Sequence, residues 1–142
     1  MQTSKASGSW HGALKDGRGT MRPANGQELA FGVDTRFDGK KGPNPEELIG
    51  AALCGCYAMA LTSALERAGC HPKGVRTTAD VHLDRQGTSF AITGIDLSAE
   101  ALVTGIEAAR FDQVAQETKR NCPVGKALAA TPITLHAKLA TT

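Results

Sequence analysis

A run of eighteen uncharged residues, 48–65, constrains this chain of 142 residues more than any other feature. The run reads LIGAALCGCYAMALTSAL, and the residues before it are typical of a helix start. Asn44 is suited to cap a helix, and Pro45 to occupy its first position. Gly69 is suited to end it. We therefore predict one helix over residues 44–70 that is apolar on every face.

A helix of this length could cross a membrane, and the composition of the run argues against that interpretation. The run is rich in Ala and Gly, contains Cys, Tyr, Thr and Ser, and is closely flanked by Glu47 and Glu66. A helix that is apolar on every face must instead be buried on every face. One chain of this size can cover one face with a sheet. We therefore expect a second copy of the chain to cover the rest, which makes the protein a homodimer without a membrane partner.

Two glycine turns divide the segment before the helix. An Asp-Gly and an Asn-Gly pair are typical of tight hairpins, and they predict three antiparallel strands at roughly 5–14, 18–24 and 27–33. A sheet of three short strands is marginal alone, so it must pack against other parts of the protein. Residues 34–45, with three basic side chains and two Pro, predict a loop that is long enough to have a function.

After the helix the apolar period changes to two. Apolar residues alternate with polar ones over 75–84, and a second strand follows at about 89–103 with a β-bulge at Gly94. Residues 106–120 predict a helix, followed by a short turn through Ala129 and a last strand after Pro132. The face of that helix predicted to be buried consists of Phe111, Val114, Ala115 and Thr118.

These elements predict an α+β fold in which antiparallel sheets surround a buried central helix. We expect one domain over residues 1–142. Residues 1–43 would form the β meander and loop, residues 44–70 the central helix, and residues 71–142 a β-β-α-β lobe.

Charge and cysteine content exclude several classes of function. The net charge is +2 and aromatic residues are 4% of the chain, which argues against partners such as nucleic acid or an anionic membrane surface. Four cysteines are too few and too unevenly spaced for a disulfide scaffold. The first ten residues, MQTSKASGSW, contain no apolar leader, so we expect a cytoplasmic protein.

The cysteine spacing does not predict a metal site. Cys54 and Cys56 point about 200° apart on an intact helix, so they cannot chelate one ion. Cys70 lies about 21 Å further along the helix axis than Cys56. The segment Gly17-Arg18-Gly19 is not followed by a helix, so it lacks the context of a phosphate-binding loop. We expect no metal and no other cofactor.

Thiol chemistry at Cys56 and Cys122 is the remaining possibility. Cys56 in the apolar run is either a small core residue or a nucleophile, and it needs a nearby cation to be a thiolate. Cys122 precedes Pro123 at a junction between two helices, where a helix N-terminus favours the thiolate form. Both cysteines face inward, so they could form a dithiol pair.

Four blocks of the chain resemble the OsmC/organic hydroperoxide resistance family, and in particular its osmotically inducible (OsmC) branch. The blocks are TRFDGKKGPNPEELIGAALCGCYAMAL, TTADVHLDR, FAITGIDL and NCPVGKAL. The resemblance implies an intertwined α+β homodimer with two active sites at the subunit interface. It also implies a thiol-dependent peroxidase that reduces organic hydroperoxides and, less efficiently, hydrogen peroxide.

The resemblance also implies roles for individual residues. Cys56 matches the peroxidatic cysteine and Cys122 the resolving one. Arg36 matches the activating arginine, and Glu46 the carboxylate that orients it. The chain departs from the family at Cys54, where a small apolar residue is common, so Cys54 is either an innocent replacement or a competing thiol.

Helix geometry adds a constraint to these roles. Glu46 and Cys56 are ten residues apart on one helix, which is about 15 Å along its axis. An Arg36 side chain held by Glu46 would therefore struggle to reach Cys56 of its own chain. We expect each site to combine Arg36 and Glu46 of one subunit with Cys56 and Cys122 of the other.

The expected reaction begins with attack of the Cys56 thiolate on the peroxide. The resulting sulfenic acid condenses with Cys122, and an external dithiol, which the family implies to be of the lipoyl type, reduces the disulfide. Apolar surroundings from Phe37, Leu53 and Tyr57 would favour alkyl peroxides as substrates. The alternatives are a dimeric domain that binds a small apolar ligand without catalysis, and a redox sensor that does not turn over.

Overall fold

The computed structural model describes residues 1–140, so Thr141 and Thr142 of the last predicted segment lie outside the described residues. The chain divides into two compact units, Met1–Leu48 and the residues from Ile49 onward. The boundary between the two units falls near the start of the central helix, which begins at Pro45. The prediction of one domain over residues 1–142 remains a prediction.

The predicted meander is confirmed in the first unit. Strands β1 (Ala6–His11), β2 (Arg18–Pro23) and β3 (Leu29–Phe31) pair antiparallel in that order. The rings of Trp10 and Phe31 approach each other with centroids 5.7 Å apart. Gly19 lies in this contact, because an added Cβ there would meet the Phe31 ring at 2.5 Å. The small residue therefore lets the two rings meet across β2.

The prediction of a loop over residues 34–45 is wrong at its start, where the chain forms a helical turn, α1 (Val33–Arg36). Thr35 explains the turn: its hydroxyl accepts the Gly32 N–H at 3.0 Å and donates to the Gly32 carbonyl at 3.2 Å. Asp34 binds Arg18 at 2.7 Å and Lys40 at 2.9 Å, which anchors the loop on the meander. These bonds hold the pKa of Asp34 well below its usual range.

The central helix α2 (Pro45–Arg67) has the predicted ends. The Glu47 N–H donates to the Asn44 side chain at 2.9 Å, which confirms the N-cap. At the other end, Gly69 takes a positive φ of 82°, and its N–H donates to the Glu66 carbonyl at 2.9 Å. The Cys70 N–H donates to the Leu65 carbonyl at 3.0 Å, which completes a Schellman motif.

The second unit contains the other sheet and two helices. Strands β4 (His71–Gln86) and β5 (Ser89–Thr104) form a long antiparallel hairpin. The register shifts where His82 pairs with Gly94 and Leu83 with Ile92, which confirms the predicted bulge. Helix α3 (Ala108–Asn121), the short helix α4 (Pro123–Ala127) and strand β6 (Ile133–Ala140) follow.

Strand β6 corrects the expectation of purely antiparallel sheets, because it pairs parallel to β5. The physical reason is the connection between the two strands. Helices α3 and α4 form a crossover that returns the chain to the same end of the sheet, and such a crossover produces parallel neighbours. Antiparallel pairing holds for β1-β2-β3 and for β4-β5.

The core of the second unit is formed by buried side chains of α2, β5 and α3. Strand β5 buries every second side chain from Ile95 to Val103, as a strand with one covered face should. Helix α3 buries the predicted face. Helix α2 contributes one row of side chains, each at most 1% exposed: Leu53, Tyr57, Leu61 and Leu65.

Within one chain, α2 is buried on one face rather than on all faces. By length and composition alone it could cross a membrane, and 28% of its most apolar eighteen-residue window is buried within the chain. Met59, on the opposite face, is 80% exposed. The covering of the remaining faces by a second copy remains a prediction.

We predict that Asp96→Asn lowers the pKa of His82. The imidazole Nε2 lies 2.7 Å from the Asp96 carboxylate, and this hydrogen bond raises the pKa of His82 above its ordinary value. The pair therefore stabilises the fold fully below about pH 6.5 and loses that contribution as the pH rises through the folded-state pKa. Titration of the histidine ring protons by NMR measures the change.

Backbone amide chemical shifts away from β4 and β5 provide the internal control and should match those of the unmodified protein. An unchanged His82 titration in Asp96→Asn would show that the carboxylate does not determine its pKa.

Candidate active site

Two cysteine sulfurs meet in the second unit. The Sγ atoms of Cys56, on α2, and Cys122, at the end of α3, are 2.9 Å apart, and both cysteines are free. A disulfide bond is about 2.05 Å long, so these are two thiols in contact rather than a bonded pair. The Cys122 thiol donates a hydrogen bond to the Cys56 sulfur. The structure thus brings together the two cysteines that the sequence singles out.

The junction between α3 and α4 holds Cys122 in place. Its N–H donates to the Thr118 carbonyl and closes α3, while its own carbonyl accepts the Lys126 N–H and begins α4, both at 2.9 Å. An added Cβ at Gly125 would meet the Lys119 carbonyl at 2.9 Å. A glycine three residues after Cys122 therefore allows α4 to fold back against the end of α3.

The surroundings of Cys122 disfavour the thiolate form, contrary to the expectation from its place at a helix start. Burial raises the pKa of this thiol, since its side chain is 1% exposed, and the hydrogen bond to Cys56 raises it further. The backbone N–H groups of Gly125 and Val124 lower the pKa of this thiol, and their effect is smaller than that of burial. Helix α4 has five residues, so its N-terminus does not outweigh the desolvation of the sulfur.

Cys56 is half-buried, and its neighbours on α2 lie in the core. Leu53 is 1% exposed and Tyr57 is fully buried. The Tyr57 hydroxyl donates to the Ala115 carbonyl of α3 at 3.0 Å, and burial raises its pKa. A substrate-binding role for Leu53 and Tyr57 remains a prediction that their burial does not support.

The first unit contains the second predicted pair, Arg36 and Glu46. The Nη2 of Arg36 donates to Oε1 of Glu46 at 2.8 Å, and Nε donates at 3.2 and 3.3 Å to the two carboxylate oxygens. Glu46 is buried whereas the Arg36 side chain is 36% exposed. The guanidinium also lies over the Phe37 ring, 5.2 Å from its centroid. A buried carboxylate thus fixes an arginine whose free edge is accessible.

The other two cysteines make other hydrogen bonds. The Cys54 carbonyl accepts a hydrogen bond from the Thr77 hydroxyl of β4 at 3.1 Å. Cys70 is buried, with its thiol 3.6 Å from the Gly105 carbonyl. Among residues 1–140, no three His, Cys, Asp or Glu side chains cluster closely enough to hold a metal ion.

A groove of about 400 Å³ between α2 and α3 reaches Cys122. Its α2 wall includes Ala60 and Arg67, and its α3 wall includes Arg110 and Glu117. Sequence reasoning did not find this groove. The Cys122 sulfur, although almost fully buried, therefore lies at the wall of an open cleft.

Sequence reasoning also missed the link from Tyr57 to Ala115 and the role of Gly125. The position of Gly125 inside a short helix is a signal, because glycine is unfavourable there unless close packing requires it. The Tyr57–Ala115 bond joins residues 58 positions apart, and nothing local in the sequence marks it.

Comparisons with known proteins agree with the resemblance of the four sequence blocks. The family described as OsmC-like protein matches residues 37–136. The chain is 46% identical over 137 residues to peroxiredoxin OsmC of Escherichia coli (strain K12). This match covers 95% of each protein.

Two solved structures share the fold at low sequence identity. The OsmC-like protein of Mycoplasma pneumoniae superposes with a TM-score of 0.76 at 12% identity, covering 99% of both chains. The organic hydroperoxide resistance protein OhrB of Bacillus subtilis gives 0.71 at 18% identity, covering 98% of both. The resemblance seen in the sequence blocks is thereby confirmed, and the chain belongs to the OsmC-like protein family.

Proposed function

We propose that this protein is a thiol-dependent peroxidase that reduces organic hydroperoxides to alcohols, and hydrogen peroxide more weakly. The observation that carries the proposal is the 2.9 Å contact between the Cys56 and Cys122 sulfurs. The names of the relatives support it, since one is a peroxiredoxin and a protein of the same fold is an organic hydroperoxide resistance protein.

Exposure distinguishes the roles of the two cysteines. Cys56 is half-buried and Cys122 is buried, so a peroxide meets the Cys56 sulfur first. The Cys56 thiolate attacks the distal peroxide oxygen, the O–O bond breaks, and the alkoxide leaves as an alcohol after it takes up a proton. Cys56 is then a sulfenic acid.

Cys122 completes the oxidation. Its thiol sulfur already lies against Cys56, so it displaces the sulfenic hydroxyl and forms a disulfide while water leaves. An external dithiol of the lipoyl type then reduces the disulfide by exchange and becomes a disulfide itself. The groove of about 400 Å³ that Cys122 lines would give a small thiol access to this disulfide.

Arg36 stabilises the charge that develops on the peroxide. Its guanidinium is held by buried Glu46 and keeps an accessible edge, which suits it for a hydrogen bond to a peroxide oxygen. We further propose that it acts on Cys56 of a second subunit, because ten residues of helix separate Glu46 from Cys56, about 15 Å along the axis. The exposed apolar face of α2, which includes Met59, is suited to pair with a second copy.

Phe37 is the apolar residue best placed to contact the alkyl group of a substrate. It is 37% exposed and lies beside the Arg36 guanidinium. An aromatic ring next to the charge-stabilising group favours an organic peroxide over a strongly hydrated one.

Replacing Cys56 by Ser should abolish the consumption of cumene or tert-butyl hydroperoxide in the presence of a dithiol. A serine hydroxyl is a far weaker nucleophile than a thiolate at neutral pH, so turnover should fall by at least about 100-fold. Loss of hydroperoxide, measured by a colorimetric peroxide assay, gives the rate.

Cys54→Ser is the matched control, because it removes a thiol from the same helix two residues away. It should retain turnover. Unchanged turnover in Cys56→Ser would refute the enzyme as described and favour a ligand-binding domain, whereas a single turnover by the unmodified protein would favour a redox sensor.

Cys122→Ser should separate the two steps of oxidation. The variant should oxidise Cys56 to a sulfenic acid with the first equivalent of hydroperoxide at the wild-type rate, and it should then form no disulfide and fail to turn over. Trapping with dimedone and intact-protein mass spectrometry should show the adduct on Cys56. Full turnover by this variant would exclude Cys122 as the resolving residue.

Mixed dimers should test the shared site. Arg36→Gln and Cys56→Ser should each be inactive alone, and glutamine keeps a donor toward buried Glu46. If each site takes Arg36 and Cys56 from different subunits, one of the two sites in a mixed dimer is intact, so its activity should rise to roughly half of wild type. Co-expression with two affinity tags isolates the mixed dimer, and no recovery of activity would refute the shared site.

A further inference from the structure

One buried hydrogen bond joins the two helices that present the cysteines. Tyr57 directly follows Cys56 on α2, and its hydroxyl donates to the Ala115 carbonyl on α3 at 3.0 Å. Ala115 lies seven residues before Cys122, two helical turns away on the same face of α3. The bond therefore ties the helix of one sulfur to the helix of the other.

Both partners of this bond are inaccessible to water. Tyr57 and Ala115 are each 0% exposed. A buried hydroxyl without a partner is strongly unfavourable, so the bond persists as long as the ring stays in the core. The Tyr57 ring is in turn fixed by the packing of Leu53 and Leu61, its neighbours in the buried row of α2.

The directionality of this bond gives it a role that apolar packing cannot fill. Apolar burial is non-directional, so α3 could shift along α2 by a fraction of an ångström with little loss. A hydrogen bond has a narrow range of length and angle. The two sulfurs are 2.9 Å apart and must close to about 2.05 Å to bond, so even a small shift of α3 changes their reaction.

We infer that Tyr57 is a positioning residue whose hydroxyl, bonded to Ala115, holds α3 in register so that Cys122 captures the Cys56 sulfenic acid before a second hydroperoxide does. The inference rests on the proposed peroxidase function. In the productive step the S–S bond forms, the S–O bond of Cys56 and the S–H bond of Cys122 break, and water leaves. In the competing step the hydroperoxide transfers a second oxygen to Cys56, which gives a sulfinic acid and an alcohol.

Tyr57→Phe tests the inference, because it keeps the ring and removes the bond. The first oxidation of Cys56 should proceed at the wild-type rate, because Tyr57 is fully buried and its hydroxyl is bonded to Ala115, which argues against the predicted contact with substrate. The fraction of Cys56 converted to sulfinic acid per turnover should rise about tenfold, the factor that one buried hydrogen bond is worth. Rapid quenching with a thiol-alkylating reagent gives the first rate, and intact-protein mass spectrometry gives the fraction.

Thr118→Val is the matched control on the same helix. The Thr118 hydroxyl is buried and donates to the Val114 carbonyl at 2.8 Å, so this variant also loses a buried hydroxyl bond, but one that lies within α3. It should show the wild-type fraction of sulfinic acid. An equal rise in both variants would show a general loss of stability and overturn the inference, as would an unchanged fraction in Tyr57→Phe.

A second measurement does not depend on peroxide chemistry. Equilibration with a glutathione redox buffer gives the effective concentration of the Cys122 thiol toward Cys56, which should fall about tenfold in Tyr57→Phe. If the unmodified protein does not turn over hydroperoxide, the proposed function fails whatever this value is. If it turns over and the effective concentration is unchanged in Tyr57→Phe, the positioning role alone fails.

Discussion

The rest of the second unit depends on removing the uncharged stretch of α2 from water. Its row of Leu53, Tyr57, Leu61 and Leu65 shares one core with the alternating small and branched side chains of β5 and the buried face of α3. Burial of each large side chain contributes about 1.5–3 kcal/mol to the stability of the fold. This gain explains why the longest helix and the longest strands contribute to the same core. The position of Cys56 follows from it, because the residue lies beside this row and on the flank of α2.

Small residues let the sulfurs meet. Ala115 places only a methyl group between α2 and α3, and Gly125 lets α4 approach the Lys119 carbonyl of α3. Cys122 is consequently both buried and close to Cys56. That combination disfavours the thiolate form of Cys122, because desolvation raises the pKa more than the nearby N–H groups lower it. A thiol that keeps its proton donates a hydrogen bond to its neighbour, and such a bond is strongest when the acceptor is an anion.

Much of the fold was predictable because its signals are local. Asn44 and Gly69 mark the ends of α2, and the change of apolar phase at Gly94 marks the bulge in β5. The direction of β6 was not predictable from alternation, which is the same in parallel and antiparallel strands. The protonation of Cys122 depends on burial by residues far away in sequence. The bond from Tyr57 to Ala115 likewise exists only once α2 and α3 have packed.

Under the proposed function, unequal burial of the two cysteines sets the order of the reaction. Cys56 is more exposed than Cys122, so a hydroperoxide reaches it more readily and oxidation begins at one sulfur even though both lie together. Because the Cys122 sulfur is already in contact with Cys56, it needs no large movement to capture the product. A fully exposed pair would offer both sulfurs to a second hydroperoxide, and a fully buried pair would offer neither to the first. The packing that places one sulfur at the edge of the core and the other inside it therefore makes Cys56 reactive toward a first hydroperoxide and limits the reaction of the pair with a second one.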